Sequence, residues 1–477
     1  MDTTKLAKFL ELSYDELEER NLDMLKKLET KSEAEIEREY ATFLRKEKAI
    51  KAVTVCFSNI EGRFHMLDYD KTFFLDSYEN LTFDGSSIRG FSELGESDLR
   101  LKADWGSMRL VPADVFGSGK VIMFAEVLDI HHKPYHTDFR AQLKTYVAEL
   151  LKKKQLVPHL AAEVEGFLVA GKDAEQKYAQ EKPFELISSG GYYHSLPLDG
   201  LKLFIDRAAE VQRALAFKNE KDHPEVAPSQ FELNFSYMPI VRACDNIQLY
   251  KLVCRQVAEN MDMTATFLPK PVVGINGSGM HMNLSLAKEG KNTFYDPKGE
   301  DGLSKIAWGM ISRILNHAPE ISLVLNSSVN AYRRLDPNFE APNQIKVSSR
   351  DRGSMIRIPT GNEKTARIEI RSVAPDANPY LASLVLLKTG LEGDPLEKEE
   401  GKRDRVRFLP STINDAIRLY KQSDFVAKIL GEEAKEKYLS FKQIVADRSP
   451  RELGTVVKTS EAIYHHEVTN QVLWHRF

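Results

Sequence analysis

Four segments of the chain alternate apolar and polar residues with a period of two, a pattern that predicts β-strands with two different faces. The segments are LAAEVEGFLV, FELNFSY, MHMNLSL and RIEIR. The alternation sorts FELNFSY into an apolar and a polar face, namely Phe231, Leu233, Phe235 and Tyr237 against Glu232, Asn234 and Ser236. One such strand is typical of an antiparallel sheet with a solvated face. Four of them favour a sheet whose polar faces line a shared cavity.

Residues 1–49 carry two helix-start signals in a highly charged segment. Ser13 with Glu16, and Ser32 with Glu35, match the capping box, in which a serine caps the helix and the glutamate reaches back to the serine N–H. After the second box, apolar residues recur at helical spacing: Ile36, Tyr40, Phe43 and Leu44. The pattern predicts a helical N-terminal extension with one stripe docked on a neighbouring surface.

Strand patterns dominate residues 50–133, where AVTVCF, FHMLDY and KVIMFAEVLDI predict a small sheet domain. Between them lies a long glycine-rich loop, TFDGSSIRGFSELGESD, and loops of this length are usually functional or disordered. Pro134 marks a linker to a third unit, 134–477, which opens with an amphipathic helix carrying Phe139, Leu143, Tyr146, Val147 and Leu150 on one face. Helices such as 245–262 and 302–317 then mix with short strands, which predicts an α+β fold with a mostly antiparallel sheet.

Composition excludes several classes of protein. The 477 residues include 66 basic and 70 acidic side chains, a net charge of -4, so no global positive field attracts nucleic acid. No run reaches the ~18 apolar residues of a membrane span, and the amino terminus lacks the apolar core of a secretory signal. The three cysteines, Cys56, Cys244 and Cys254, match no zinc motif and indicate a reducing compartment. We therefore expect a cytoplasmic protein with neither a nucleic-acid nor a membrane partner.

The polar faces of the four strands carry groups that suit metal and phosphate chemistry. Glu163 and Glu165 are two apart, so on a strand both carboxylates project from the same face. If the strands line one cavity, they and the upstream Glu225 deliver five carboxylates, a histidine and several arginines to it. Carboxylates at such density need cations, and hard divalent ions such as Mg²⁺ or Mn²⁺ prefer oxygen ligands. Arginines facing the same space bind phosphoryl groups, so the pattern favours metal-assisted phosphoryl transfer from a nucleotide.

GSGK at 117–120 is not a phosphate-binding loop. Asp114 stands where such a loop requires its first glycine, and Val121 stands where it requires Ser or Thr. We interpret the segment as a hairpin turn.

Between about residue 50 and about residue 420 the chain carries, in this order, the motifs FDGSSIRGF, ESD, EVEGF, GGYY, HPEVAPSQFEL, NGSGMHMNLSL, NAYRRLDPNFEAP, DRGSMIRIP and ARIEIRSVAPDANPYL. This ordered set resembles the glutamine synthetase family. The resemblance implies a β-grasp domain followed by a catalytic domain with a curved antiparallel sheet. It also implies a homo-oligomer, a double ring of twelve subunits in which a neighbour's β-grasp domain completes each site.

The resemblance further implies ATP-dependent ligation of ammonia to glutamate through a γ-glutamyl phosphate, with two or more Mg²⁺ or Mn²⁺ ions. By position, the ligands of one ion are Glu165, Glu225 and Glu232, and those of the other are Glu163, His281 and Glu369. The phosphoryl group is assigned to Arg352 and Arg371, and the nucleotide to Asn283, Ser285, Arg357 and Arg367. By the same resemblance, glutamate is bound by Arg334, Asn276 and Gly277. Ammonium is bound by Asp84, Ser87, Tyr192 and Glu225. Glu340 lies in a flap that closes over the site.

The sequence departs from the family pattern at three places and leaves alternatives open. Ser229 replaces a glycine, Gly166 stands in a position that is aromatic in the family, and Asn283 stands where a second histidine is usual near the nucleotide. The segment LEGDPLEKEEGKRDR also lacks the tyrosine loop that is adenylylated in some bacterial members. A ligase acting on an alkylamine or polyamine is one alternative, and a non-catalytic scaffold or nitrogen sensor is another. The intact ammonium residues favour ammonia, and the six intact metal ligands favour an active enzyme.

Overall fold

Two β-sheets, connected and covered by helices, organise the chain in its computed structural model. The structure describes residues 12–92, 98–178, 183–194, 199–339, 341–396 and 406–447. Part of the predicted glycine-rich loop, including Glu96 and Ser97 of its ESD motif, lies outside these ranges.

The amino-terminal segment forms the two predicted helices, α1 (Tyr14–Lys27) and α2 (Glu33–Lys46). Both capping boxes are present, with Ser13 paired to Glu16 and Ser32 to Glu35. The stripe on α2 buries Ile36, Tyr40 and Leu44 in the same hydrophobic cluster as the first sheet, whereas Phe43 is only partly buried. The extension therefore belongs to the body of the protein.

The first sheet follows the extension. Its strands and short helices are β1 (Ala52–Ser58), β2 (Phe64–Asp70), α3 (Lys71–Ser77), β3 (Leu81–Asp84), β4 (Asp98–Ala103), β5 (Arg109–Leu110), α4 (Ala113–Phe116) and β6 (Lys120–Leu128). The strand order is β2-β1-β6-β4-β3, with β5 also paired to β6, and of these pairs only β1 with β6 is parallel. The GSGK segment lies in the connection from β5 to β6. Because β5 and β6 pair antiparallel, this connection is a hairpin, as predicted, with α4 inside it.

The second sheet contains the four segments with polar faces. Its strands are β7 (Leu156–Ala170), β8 (Asn219–Pro224), β9 (Gln230–Phe235), β10 (Met238–Pro239), β11 (Met263–Thr266), β12 (Met280–Lys288), β13 (Lys291–Asn292), β14 (Gln344–Ser348), β15 (Ser354–Arg357) and β16 (Ile368–Ile370). The main strand order is β14-β15-β16-β12-β7-β9-β8, and only the β14–β15 pair is parallel. The mostly antiparallel sheet predicted from the sequence is confirmed.

Helices flank the strands of this sheet and one another, and several pack on its apolar side. They are α5 (Phe139–Lys154), α6 (Ala174–Lys177), α7 (Gly200–Ala214), α8 (Ile240–Asn260), α9 (Lys305–Leu325), α10 (Val329–Arg334), α11 (Pro379–Glu392), α12 (Ile413–Gln422) and α13 (Asp424–Leu430), and residues 432–447 are also helical. The apolar residues of β7, β9 and β12 share one core with α8, α9 and α11. Burial of that side leaves the polar side of the strands facing a cavity.

Some predicted boundaries were wrong. The helix expected at 245–262 begins at Ile240, and the helix expected at 302–317 runs from Lys305 to Leu325 with Pro319 inside it. Tyr237, expected on the apolar face of its strand, is 55% exposed, because β9 ends at Phe235 and the chain turns there into β10. No helix in the described ranges is long and apolar enough to cross a membrane.

Candidate functional site

Strand register brings distant acidic residues together on the polar side of the second sheet. His281 on β12 lies opposite Glu163 on β7, and Glu232 on β9 lies opposite Glu165 on β7. Glu369 on β16 lies opposite Asn283 on β12. Because neighbouring strands place register partners about 5 Å apart, the side chains face the same space.

Three of these residues form one compact cluster. Nδ1 of His281 is 3.4 Å from Oε2 of Glu163 and 3.8 Å from Oε1 of Glu369. One potential ligand atom from each residue lies within 4.8 Å of the others. This trio is the set of ligands that the family resemblance implies for one of the two ions.

A second cluster consists of His223, Glu225 and Glu232, whose potential ligand atoms also lie within 4.8 Å of one another. Nδ1 of His223 is 3.1 Å from the carbonyl oxygen of Pro224, and Nε2 is 3.6 Å from Oε1 of Glu232. With Nδ1–H donating to that carbonyl, Nε2 keeps its lone pair for the cavity, the arrangement common in metal-binding histidines.

His223 was not among the predicted site residues. It lies two residues before Glu225, so on a strand these two side chains share a face. Residues 219–224 were not recognised as a strand, because they carry no apolar alternation.

Glu165, assigned by resemblance to the same ion as Glu225 and Glu232, lies between the two clusters. Its Oε1 is 3.7 Å from Nε2 of His281. Its Oε2 accepts hydrogen bonds from the backbone N–H of Gly279, at 2.8 Å, and from the side chain of Gln230, at 3.3 Å. One of its oxygens is therefore held by protein donors.

Crowding of carboxylates dominates the electrostatics of the cavity. Burial, together with the charge of Glu165, raises the pKa of Glu225 to about 8. The same two causes hold the pKa of Glu232 well above its ordinary value. Glu163 differs, because its hydrogen bonds with His281 and Asn283 outweigh burial and lower its pKa to about 2.

The donor set of carboxylate oxygens with one histidine nitrogen in each cluster fits a hard divalent cation such as Mg²⁺ or Mn²⁺.

Arginines line the same cavity as the two acidic clusters. Arg357 donates from Nη1 to Oε2 of Glu369 at 2.8 Å, and Nε of Arg371 lies 3.3 Å from the other oxygen of that carboxylate. Arg352 and Arg367 line the same cavity. A negatively charged floor beside a row of guanidinium groups suits a phosphate that is shared between cations and arginines.

Arg334 is held more rigidly than the other arginines. It is only 5% exposed and donates from Nη2 to the backbone oxygen of Arg371 at 2.9 Å. Burial lowers its pKa to about 10. Two glycines make room for it, since a Cβ at Gly279 would lie 2.4 Å from Nη2 of Arg334, and one at Gly277 would lie 3.0 Å from its Cγ.

The cavity of about 410 Å³ gathers most of the predicted site residues. It is lined by all six predicted metal ligands, by the predicted glutamate contacts Arg334, Asn276 and Gly277, by Tyr192, and by the four arginines already described. A volume of this size accommodates a small-molecule ligand.

Other predicted residues lie elsewhere. Asp84 is exposed in the first sheet, where its carboxylate accepts hydrogen bonds of 2.6 Å from the hydroxyls of Ser86 and Ser87, and neither Asp84 nor Ser87 lines the cavity of its own chain. Asn283 lies behind the lining, donating to Glu163 at 3.0 Å and accepting from Arg367 at 2.9 Å. Ser285 follows on β12, partly buried and away from the cavity wall. Glu340 lies outside the described residues.

Two of the departures from the family pattern have local explanations. Ser229 has a positive φ of 61°, and its Oγ accepts hydrogen bonds from the backbone N–H groups of Ile187 and Ser188, at 2.7 and 3.0 Å. These bonds offset the strain of the left-handed backbone. At Gly166, a Cβ would lie 2.7 Å from the ring of Phe231, which leaves no space for a side chain.

Comparisons with known proteins agree with this architecture. A family model described as "Glutamine synthetase, catalytic domain" matches residues 136–452, and one described as "Glutamine synthetase, beta-Grasp domain" matches residues 49–130. The α+β fold expected from the sequence is therefore confirmed, with a β-grasp domain followed by a catalytic domain.

Two curated relatives are similar over most of the chain. The glutamine synthetase of Staphylococcus aureus (strain MRSA252) is 36% identical over 384 residues, covering 77% of this chain and 84% of the relative. That of Methanosarcina mazei is 35% identical over 422 residues, covering 84% and 92%.

Solved structures share the fold. The Plasmodium falciparum glutamine synthetase superposes with a TM-score of 0.78 at 20% identity, covering 90% of this chain and 98% of that one. A structure titled "GmaS/ADP complex-Conformation 1" gives a TM-score of 0.75 at 25% identity, covering 88% and 98%.

Proposed function

The chain belongs to the glutamine synthetase family and is a carbon–nitrogen ligase, and from that premise we propose that it joins ammonia to the side-chain carboxylate of L-glutamate at the expense of ATP. The products are L-glutamine, ADP and phosphate. The observation that carries the proposal is the convergence of two carboxylate–histidine clusters and five arginines on one cavity.

The two clusters are proposed to hold divalent cations. Glu163, His281 and Glu369 would bind one ion, and Glu225 and Glu232, with His223 and Glu165 beside them, would bind the other. When bound there, Mg²⁺ or Mn²⁺ supplies positive charge that neutralises the β- and γ-phosphates of ATP and orients the glutamate carboxylate. The raised pKa of Glu225 supports this assignment, because a cation relieves the repulsion that raises it.

In the proposed reaction, an oxygen of the glutamate side chain attacks the γ-phosphorus, and ADP leaves. Ammonia then attacks the carbonyl carbon of the γ-glutamyl phosphate, and phosphate leaves with the bridging oxygen. Arg352, Arg357 and Arg371 face the cavity and are suited to hold the transferred phosphoryl group. Arg334, fixed by the backbone of Arg371, is suited to bind a carboxylate of glutamate.

The nucleotide is proposed to lie against Arg357 and Arg367, near Asn283 and Ser285. Asn283 connects Arg367 with Glu163, so it is suited to align a phosphate-binding arginine with a metal ligand. The structural neighbour titled as an ADP complex supports a nucleotide site in this fold.

Ammonium is proposed to bind beside Glu225 and Tyr192, with Asp84 and Ser87 supplied by a second copy of the chain. Asp84 is exposed on its own chain, as such a role requires. The proposal therefore includes a homo-oligomer, for which the family precedent is a double ring of twelve subunits.

Glu340 is proposed to close over the site, a step that keeps water from the activated acid.

We also propose the domain limits 1–49, 50–133 and 134–477, and a cytoplasmic location. The matched ranges 49–130 and 136–452 support the limits. The three cysteines are buried and unpaired, which suits a reducing compartment.

A ligase that joins glutamate to an alkylamine or polyamine is the second candidate, because such an amine would displace phosphate from the same activated acid. Initial rates with ATP, glutamate, Mg²⁺ and either ammonium, methylamine, ethanolamine or putrescine separate the two. We expect ammonium to give the highest kcat/KM. A clear preference for an organic amine would replace ammonia as the substrate, and the absence of product with every amine and with hydroxylamine would indicate a non-catalytic protein.

A further inference from the structure

A second cavity, of about 360 Å³, lies where the N-terminal extension meets the rest of the protein. Its walls come from α2, the first sheet, α5 and α8. Among the described residues, none lines both this cavity and the candidate active site. Its function is therefore a separate question from the proposed ligase reaction.

Most of the charges around this cavity already have partners. Six basic and five acidic side chains line it. Arg140 binds Asp245 through two hydrogen bonds of 2.8 Å and Asp104 through one of 2.9 Å. Lys144 binds Asp104 at 3.3 Å and Glu126 at 2.8 Å. The buried acidic groups are thus neutralised by Arg140 and Lys144.

Arg109 and Arg242 differ from these residues. Arg109 is only 4% exposed, its Nε is buried without a hydrogen-bond partner, and its Nη1 donates only to the backbone oxygen of Met108, at 2.8 Å. Arg242 is partly buried and makes no hydrogen bond or ion pair with any residue that the structure describes. Two guanidinium groups without a carboxylate contact therefore face one cavity.

The electrostatics indicate that these two groups are close. Burial and the positive charge of Arg242 lower the pKa of Arg109 to about 10. Burial also lowers the pKa of Arg242. The charges of Asp104 and Asp245 oppose this lowering, but neither carboxylate forms an ion pair with Arg109 or Arg242 within the part of the chain that the structure describes, so an anion between the two guanidinium groups would be stabilised.

The rest of the wall is apolar. Trp105 and Phe124 from the first sheet and Ile240 and Leu249 from α8 line it, and Ile36 of α2 closes it on the side of the extension. A bare inorganic anion would leave these surfaces without contacts, whereas an organic group would cover them.

We propose that this cavity binds a small organic anion whose carboxylate or phosphate group lies between Arg109 and Arg242 and whose apolar body packs against Trp105. Because α2 forms part of the wall, the N-terminal extension helps to build this site. The site is independent of glutamate, ATP and the metal clusters.

Phenyl phosphate is a suitable probe, with inorganic phosphate and phenol as its two halves. Binding to the full-length protein is measured by calorimetry, and because Arg242 does not line the candidate active site, Arg242→Met distinguishes binding in this cavity from binding of phosphate groups there. Trp105 provides a second signal, because a ligand against its ring changes its fluorescence, and Trp105→Phe removes that change. We expect phenyl phosphate to bind more tightly than either half.

Arg242→Met is expected to weaken binding of phenyl phosphate about tenfold or more, the loss typical of a charge-assisted contact. Arg109→Met is expected to do the same, but Arg242 is the main test because it is less buried and its replacement spares the core. The matched control is Arg418→Met, on an exposed arginine that pairs only with Asp415.

The proposal would be overturned by unchanged affinity in Arg242→Met, by equal binding of phenol and phenyl phosphate, or by no binding of any probe by heat or fluorescence. Tighter binding of inorganic phosphate than of phenyl phosphate would also overturn it, since the apolar wall would then contribute nothing. None of these results bears on the ligase reaction, which is assayed separately.

Discussion

His223 and Glu232 face each other across β8 and β9, with 3.6 Å between Nε2 of the histidine and Oε1 of the glutamate. Both side chains are buried, at 7 and 4% exposure. A neutral imidazole beside a crowded carboxylate does little to neutralise it, and burial lowers the pKa of His223. The pair is therefore better explained as part of a cation site than as an ion pair.

The first prediction concerns this histidine. His223→Ala should weaken Mn²⁺ binding about 10- to 100-fold, the usual loss when a ligand or a residue orienting one is removed. Calorimetric titration of the metal measures the effect. His159→Ala is the control, because His159 lies on β7 outside the cavity and its ring contacts Tyr237. Equal affinities in the two variants would remove His223 from the site.

The second prediction is that Mn²⁺ affinity rises with pH. Because the pKa of Glu225 is raised to about 8, this carboxyl group carries a proton near neutral pH in the metal-free protein, and the pKa of Glu232 is raised as well. A cation must displace the proton of Glu225, so affinity should increase as the pH rises from about 6 to about 8.

Titrations in two buffers of different ionisation enthalpy measure the protons released. Glu225→Gln should release fewer protons and flatten the pH dependence. Affinity that does not change from about pH 6 to about pH 8 would contradict the crowded-carboxylate account.

The third prediction tests whether a second copy completes the site. Asp84→Ala should lower the ammonium-dependent rate by a factor of about 10² to 10⁴, the range for loss of a general base. A single turnover of ATP to ADP with glutamate in the absence of ammonium should remain. Asp98→Ala is the matched control, since Asp98 is also exposed and lies directly opposite Asp84 on the neighbouring strand. An unchanged rate in Asp84→Ala would refute the role given to Asp84.

The fourth prediction concerns stability. Arg140, with 2% of its side chain exposed, binds Asp104, which directly follows β4, and Asp245 on α8. Arg140→Met should destabilise the protein by about 3 to 5 kcal/mol, because two buried carboxylates lose their partner. Denaturant unfolding followed by circular dichroism measures this. Lys153→Met, which removes an exposed pair with Glu149, should change stability by less than about 1 kcal/mol, and a similar loss in both variants would argue against the buried network.

The sequence predicted many of the polar residues that line the cavity, but it did not predict all of them. Alternation along the strands identified Glu163, Glu232, His281 and Glu369 as residues of polar faces, and the register of β7, β9, β12 and β16 brings them together. His223 was not predicted, because β8 lacks the alternation of apolar and polar residues that marked the other strands.

The sequence pattern does not predict features that depend on contacts between residues far apart in the chain. Arg109 and Arg242 lie in different elements, and nothing local indicates that their guanidinium groups share a cavity. The extension of α9 through Pro319 was also hidden, because proline usually ends a helix, whereas here the surrounding core holds the last turns in place. In both cases tertiary packing overrides the local signal.

The most direct test of the central claim follows the oxygen atoms of glutamate. The protein is incubated with ATP, Mg²⁺, ammonium and glutamate labelled with ¹⁸O in its side-chain carboxylate, and the released phosphate is analysed by mass spectrometry. If the carboxylate attacks the γ-phosphorus and ammonia then displaces phosphate, each phosphate carries one ¹⁸O atom from glutamate. Glutamine formed together with unlabelled phosphate would contradict the account.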